Sequence, residues 1–383
     1  MLHSYQKPLK GDIGVVFGSF APLHQGHLDL IMRAKKENSG GCLVIVCGYE
    51  GDKGEPLMPH NKRYRYVREF FADDDLVAVY AINDTESMRP QYPNGWDSWL
   101  EEFGGIYKMA TKAEFDYEGK KFYPYRTWYV GDQTYYDGLT ERGEKAVLVD
   151  RTSDNPISAT MIRNNPIKYW DKIAYPFRRV FSTNILITGT ASEGKSTMVT
   201  DLGKYFNAPH SHEWPRDYME QSCVSDWELD SADFLAFLEG QYNHNKELIN
   251  SPGNHGIFFA DTDSLVTNMY SQYYSKDLSC VLTEEEYERV IKPVAYEYAR
   301  KSHWDKIFCV VPHGVFVDDH SRFMAHSGMK ERQELFEILK QSLIDVGDWD
   351  KVTILDGDYY QNFMKVVEYV MEVIKKGKYT YET

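Results

Sequence analysis

The stretch NILITGTASEGKSTMVTDLGKYF, Asn184 to Phe206, decides the fold. Its apolar start, NILIT, runs into GTASEGKS, Gly189 to Ser196, which satisfies every specified position of G-x-x-x-x-G-K-[ST], and a helical pattern follows. A strand that feeds a helix through a glycine turn is how an open α/β sheet begins, with the turn at the strand's C-terminal end. The loop's backbone N–H groups and the helix N-terminus make a cradle for phosphate oxygens. The expected phosphate contacts are Gly189, Thr190, Ser192, Glu193, Gly194, Lys195, Ser196 and Thr197. Lys195 is expected to reach the β- and γ-phosphates of ATP, and the Ser196 hydroxyl to ligate Mg²⁺.

Downstream, strands are expected at GIFFADTD (Gly256 to Asp263), KIFCVVP (Lys306 to Pro312) and KVTILD (Lys351 to Asp356). The last helical pattern puts Phe363, Val366, Val367, Val370, Val373 and Ile374 on one face and stops at a basic turn before Gly377. In FFADTDSLVT the apolar run ends at Asp261 and Asp263, where a phosphate loop needs a carboxylate for its metal. At least one of them is expected to take that role and both are catalytic candidates, with Asp261 expected beside Ser196 at the metal; helix capping is the alternative. In HSHEWPRDY, His210 to Tyr218, Glu213 could accept a proton from a substrate hydroxyl, and Trp214 or Tyr218 could stack on a flat ring. Arg322 and Arg332 could close over the transferring phosphate, against the alternative of solvated helix charges.

Upstream, IGVVFGSFAPLHQGHLDLIMRAKKEN, Ile13 to Asn38, has the same strand, turn and helix order. Further strands are expected at Cys42 to Glu50, Leu76 to Asn83, Arg126 to Asp132 and Ala146 to Asp150. The chain therefore divides into two α/β domains with mainly parallel sheets: a Rossmann-like domain over 1–165 and a P-loop domain over 184–383, joined by a packed connector over 166–183 rich in Pro and aromatic residues. No internal repeat is visible. GSFAPLHQGH places His24 and His27 between a strand and a helix, where imidazoles and backbone amides make an anion site. A zinc site lacks its third and fourth ligands, and structural packing of the two rings is the other alternative.

The 383 residues carry 43 Lys+Arg against 58 Asp+Glu, a formal charge of −15, opposite to the footprint of a nucleic-acid binder. Cys42, Cys47, Cys223, Cys280 and Cys309 form no C-x-x-C pair, and several sit in apolar runs, as reduced thiols of a cytoplasmic protein do. No signal sequence and no apolar stretch near the ~18 residues of a membrane span is present.

GSFAPLHQGH resembles the G-x-F-x-P-x-H-x-G-H signature of the nucleotidyltransferase superfamily, and ISATMIR, Ile157 to Arg163, resembles its I-S-x-T-x-x-R signature. With the P-loop domain attached, nearly the whole chain resembles the NadR family, bifunctional nicotinamide-nucleotide adenylyltransferases and ribosylnicotinamide kinases. RYRYVRE (Arg63 to Glu69), YPNGWDSW (Tyr92 to Trp99) and ILDGDYYQNF (Ile354 to Phe363) look like family segments. The resemblance implies two consecutive Mg²⁺-assisted, ATP-dependent steps: nicotinamide riboside (NR) to nicotinamide mononucleotide (NMN), and NMN to NAD plus pyrophosphate. It implies catalytic roles for His24 and His27, ATP contacts from Gly18, Ser19, Phe20, Ser158, Thr160 and Arg163, and stacking of nicotinamide on Trp96 and Trp99, whose spacing of three also suits one buried helix face. Only about a dozen residues precede the first strand, too few for the helix-turn-helix domain of some family members, so no nucleic-acid or membrane partner is expected, while a homo-oligomer is compatible. A nucleotide sensor with little turnover, or transfer to phosphopantetheine or flavin mononucleotide, are the rival readings.

Overall fold

The computed structural model describes residues 6–49, 51–52, 54–84, 94–115, 118–149, 156–313 and 328–376. Two compact units divide between Phe181 and Ser182. The first runs β1 (Ile13–Gly18), α1 (Gln25–Glu37), β2 (Cys42–Tyr49), α2 (His60–Phe70), β3 (Val77–Asp84), α3 (Trp96–Ala110), β4 (Glu114–Phe115), β5 (Lys121–Phe122), β6 (Arg126–Val130), α4 (Gln133–Thr140), β7 (Ala146–Leu148), α5 (Ala159–Asn164) and α6 (Tyr175–Phe181). Its main sheet is parallel throughout, in the order β3-β2-β1-β6-β7. Of the strands among the described residues, only β4 and β5 pair antiparallel, a short pairing that the sequence pattern does not announce.

Alternation along these strands loads both faces. Val16, Val44, Val46 and Val79 pack with Leu30, Ile31 and Ala34 of α1, while Ile13, Val15, Leu43 and Ile45 pack with Phe103, Ile106 and Tyr107 of α3. A sheet covered on both faces needs apolar residues at consecutive positions, which is why these strands read as unbroken apolar runs. The chain steps outward from β1 through β2 to β3 and then returns to β6 on β1's other side. That reversal opens a crevice at the C-terminal ends of β1 and β6, where ligands bind in such sheets. The segment expected as a connector packs into this unit: Trp170, Ile173, Ala174, Phe177 and Phe181 are buried in the same core as Leu30. Phe177 and Phe181, four apart on α6, share its inward face.

The second unit runs β8 (Thr183–Gly189), α7 (Lys195–Phe206), β9 (His210–Ser211), α8 (Trp214–Ser222), α9 (Ser231–Ile249), β10 (Ile257–Ala260), α10 (Ser264–Tyr274), α11 (Glu284–Glu286), α12 (Lys292–Lys301), β11 (Lys306–Val310), α13 (Met329–Val346), β12 (Val352–Leu355) and α14 (Tyr359–Lys376). Its sheet is also parallel, in the order β12-β11-β8-β10-β9. Leu186, Phe258, Ala260, Ile307 and Cys309 face Leu265 and Met269 of α10 and Leu335, Leu339 and Leu343 of α13. The central strand β8 delivers the phosphate-loop motif to the C-terminal edge, with the turns after β9 and β10 beside it. Val366, Val367 and Val370 of α14 are buried as its periodicity requires, and Gly377 lies outside the described residues. No helix among the described residues is long and apolar enough to cross a membrane.

Candidate active sites

The phosphate loop begins where β8 ends. Gly189 has φ +141°, and a Cβ there would lie 2.6 Å from the Val310 carbonyl oxygen, so a side chain is excluded by both conformation and space. Gly194 caps α7, whose first-turn N–H groups have no partner inside the helix and face the loop. Lys195 is buried, and its Nζ donates to the Thr190 carbonyl at 2.7 Å, so the ammonium lies across the loop. Ser196 and Thr197 are exposed on the first turn. Glu193 points the other way. Its carboxylate takes the Arg332 guanidinium at 2.7 Å and the His313 N–H at 3.1 Å, leaving only its backbone for phosphate. Arg332, expected to close over the phosphate, is thereby a buried anchor of the loop, 2% exposed. Arg322 lies outside the described residues.

The two aspartates after β10 separate cleanly. Asp263 caps α10: one carboxylate oxygen accepts from Leu265 N at 2.9 Å and the other from the Trp304 indole N–H at 3.0 Å. This corrects its expected catalytic role, because both oxygens are committed to folding. Asp261 is 1% exposed, and neither of its oxygens has a hydrogen-bond partner. Burial, reinforced by the nearby Glu213 charge, pushes its carboxyl up to about 6, against the opposing pull of Lys195 and Ser196. A buried carboxylate beside the loop lysine and serine is a donor set that a hard cation fits when phosphate oxygens complete it, and no cluster of three or more His, Cys, Asp or Glu side chains able to hold a metal by themselves occurs among the described residues. Asp263→Ala should therefore cost about 1–3 kcal/mol through the lost cap and the stranded indole N–H. The expected result is a fall of several degrees in melting temperature with phosphoryl transfer retained below it, measured by differential scanning fluorimetry and initial rates.

Glu213 precedes α8, is 8% exposed and accepts from Arg216 Nε at 2.6 Å. Trp214 is half-buried, its indole laid against Gly240 of α9, where a Cβ would come within 2.4 Å of the ring. Tyr218 departs from its expected stacking role: its hydroxyl donates to Asp233 at 2.7 Å and its ring meets Phe237, so it belongs to the α8–α9 packing.

In the first unit, His24 precedes α1 in extended conformation, and its carbonyl accepts from His27 N at 2.8 Å. The imidazoles stack with centroids 3.8 Å apart, His24 buried and His27 half-buried. Phe20, buried and held at φ +47°, meets the His27 ring edge-on at 5.0 Å. Ser158 caps α5 by accepting from Met161 N. Arg163, 8% exposed, donates to the Ala21 carbonyl at 2.6 Å and to Thr160 Oγ1 at 3.1 Å, which joins the two signatures at one place. Trp96 is buried, its indole occupying the space a Cβ on Gly138 would need. Trp99 is half-buried in an aromatic group with Phe17 of β1, Phe103 and Trp128. The pair thus divides into a core residue and one with an accessible edge.

Sequence reasoning missed Arg63, which is fully buried, ion-pairs with Asp52 at 2.6 Å and donates to the Ser19 carbonyl at 2.8 Å. Its signal was an arginine on the inward face of α2, four residues before buried Val67. It also missed Gln241 and Asn245, polar residues on the inward face of α9.

A cytidylyltransferase-like family model matches residues 15–165, and an AAA-domain model matches residues 184–361. The trifunctional NAD biosynthesis/regulator protein NadR of Salmonella typhimurium is 29% identical over 95% of this chain and 83% of its own. That of Escherichia coli is 28% identical over 95% of this chain and 84% of its own. A crystal structure of NadR protein in complex with NR superposes with a TM-score of 0.81 at 33% identity, covering 98% of this chain and 99% of that one. Another, in complex with NAD and AMP-PNP, gives the same score and identity over 98% and 100%. Fold and loops define the class: a cytidylyltransferase-like domain followed in one chain by a P-loop domain. Within that class, the chain belongs to the NadR family.

Proposed function

We propose that this chain converts NR to NMN with ATP in residues 184–383 and NMN to NAD and pyrophosphate with a second ATP in residues 1–165. The observation that carries the reading is likeness at 33% identity, over essentially both full chains, to proteins crystallised with NR and with NAD and AMP-PNP.

In the P-loop domain, the 5′-hydroxyl of NR attacks the γ-phosphorus of ATP, the bond from that phosphorus to the β,γ-bridging oxygen breaks, and ADP leaves. Lys195 and the loop amides hold the phosphates, and Glu213 accepts the hydroxyl's proton. Ser196 and Asp261 would hold Mg²⁺, which supplies positive charge against the phosphate oxygens when bound. In the first domain, a phosphate oxygen of NMN attacks the α-phosphorus of ATP and pyrophosphate leaves. The reaction gathers negative charge on the α-phosphoryl oxygens, which His24, His27 and the α1 N-terminus oppose. Arg163, Ser158 and Thr160, with the Gly18, Ser19 and Phe20 backbone, serve the ATP phosphates, and Trp99 offers its ring to the cationic nicotinamide.

Chromatographic product analysis with Mg-ATP tests both halves. NAD is expected whether the protein receives NR or NMN. NAD from NMN with NR untouched removes the kinase assignment; turnover of neither removes both.

A further inference from the structure

Glu213 and Asp261 stand on turns from different strands, β9 and β10, and both turns are bonded to one helix. The Gln241 amide, 1% exposed, accepts from Trp214 N at 2.7 Å and donates to the His212 carbonyl at 3.2 Å, so the residues before and after Glu213 hang on one side chain. Gln241 also donates at 3.0 Å to Asn245 Oδ1, one helical turn on. Asn245, 6% exposed, donates at 3.3 Å to the carbonyl of Thr262, the residue after Asp261. Gly240 precedes them, and its missing Cβ lets Trp214 lie directly on the helix. Glycine inside a helix costs about 1 kcal/mol relative to alanine, so its position under the indole marks a close approach.

We propose that Gln241 and Asn245 are positioning residues for phosphoryl transfer, a buried amide relay on α9 that sets the Glu213 turn against the Asp261 turn. Neither side chain touches a reacting atom. The relay acts because a misplacement of an ångström between a proton acceptor and a cation-holding carboxylate is felt in the chemical step and not in ATP binding. An apolar side chain would fill the space yet remove the bonds to the Trp214 N–H and the His212 carbonyl on one turn, or to the Thr262 carbonyl on the other.

The inference rests on the kinase reading above, and its test separates the two. Gln241→Met and Asn245→Leu remove the bonds at nearly constant volume. Each is expected to lower kcat for NR phosphorylation by about ten- to a hundredfold with KM for ATP unchanged. The double variant should fall no further than Gln241→Met alone, because one chain broken at either link is broken. Hydrogen exchange at the amides of 212–214 and 261–264 should accelerate together in Gln241→Met. A kcat unchanged beside a lowered melting temperature, or losses that multiply in the double variant, would reduce the pair to ordinary packing and overturn the relay. If the wild type leaves NR untouched, the kinase reading fails and the exchange data decide alone: joint acceleration at both turns upholds the relay, and unchanged exchange at either one overturns it.

Discussion

Replacing Lys195 by alanine is expected to lower NR phosphorylation by about 10²–10³-fold or more while NAD formation from NMN continues. The ammonium is the one cationic group of the phosphate loop itself, buried at 5% exposure and already stretched across the loop to the Thr190 carbonyl. A phosphate entering the cradle replaces that carbonyl as its partner, so the charge is in place before the reaction and costs no rearrangement during it. The same charge opposes the rise of the Asp261 carboxyl, which burial and Glu213 push up. Its removal therefore weakens phosphate binding and the cation's carboxylate together, and the loss exceeds that of a surface contact. Lys195→Met keeps the bulk of the stem and should behave alike. The measurement is NMN and NAD by chromatography from one preparation of each variant, with far-ultraviolet circular dichroism for the fold. Loss of both activities in a folded protein would sink the assignment of separate sites, and near-normal phosphorylation would take Lys195 out of the mechanism.

The phosphate loop and the longer parallel strands were legible because their causes are local. A glycine turn, a lysine at fixed spacing and an apolar run each act over a few residues, so they survive in one dimension. What stayed illegible depends on distant partners. FADTD gives no sign of which aspartate is structural, since the choice is made by the Trp304 indole, 41 residues beyond Asp263. Glu193 reads as part of the phosphate loop until Arg332, 139 residues later, claims its carboxylate. Arg332 in turn reads as a solvated or phosphate-facing cation, since nothing near it announces a buried acid. Trp96 and Trp99 look equivalent in sequence and part company because Gly138 offers a slot to one ring while the other packs on Phe17 and Phe103 and stays half-buried. Gln241 and Asn245 occupy inward positions of α9, where amide side chains are the kind of exception to helical patterning that marks buried backbone in need of partners.

His27→Ala is expected to produce the reverse of the lysine variant: NAD formation from NMN falls by about 10²–10³-fold, and NR phosphorylation is kept. Of the two histidines it is the cleaner probe. His24 is 1% exposed, and its removal would leave a cavity, whereas His27 is half-buried. Its ring is held on two sides, stacked at 3.8 Å on His24 and met edge-on at 5.0 Å by Phe20. A ring so confined has little rotamer freedom left to lose when charge develops on the α-phosphoryl oxygens, which is what lets a single donor contribute about 3–4 kcal/mol to a transition state. The loss should appear in kcat, with KM for NMN nearly unchanged, because charge on those oxygens rises most in the transition state. An unchanged kcat with a raised KM would make His27 a ground-state binding residue. Near-normal kinetics in both parameters would remove it from the reaction and leave Arg163 and the α1 N-terminus to carry the charge.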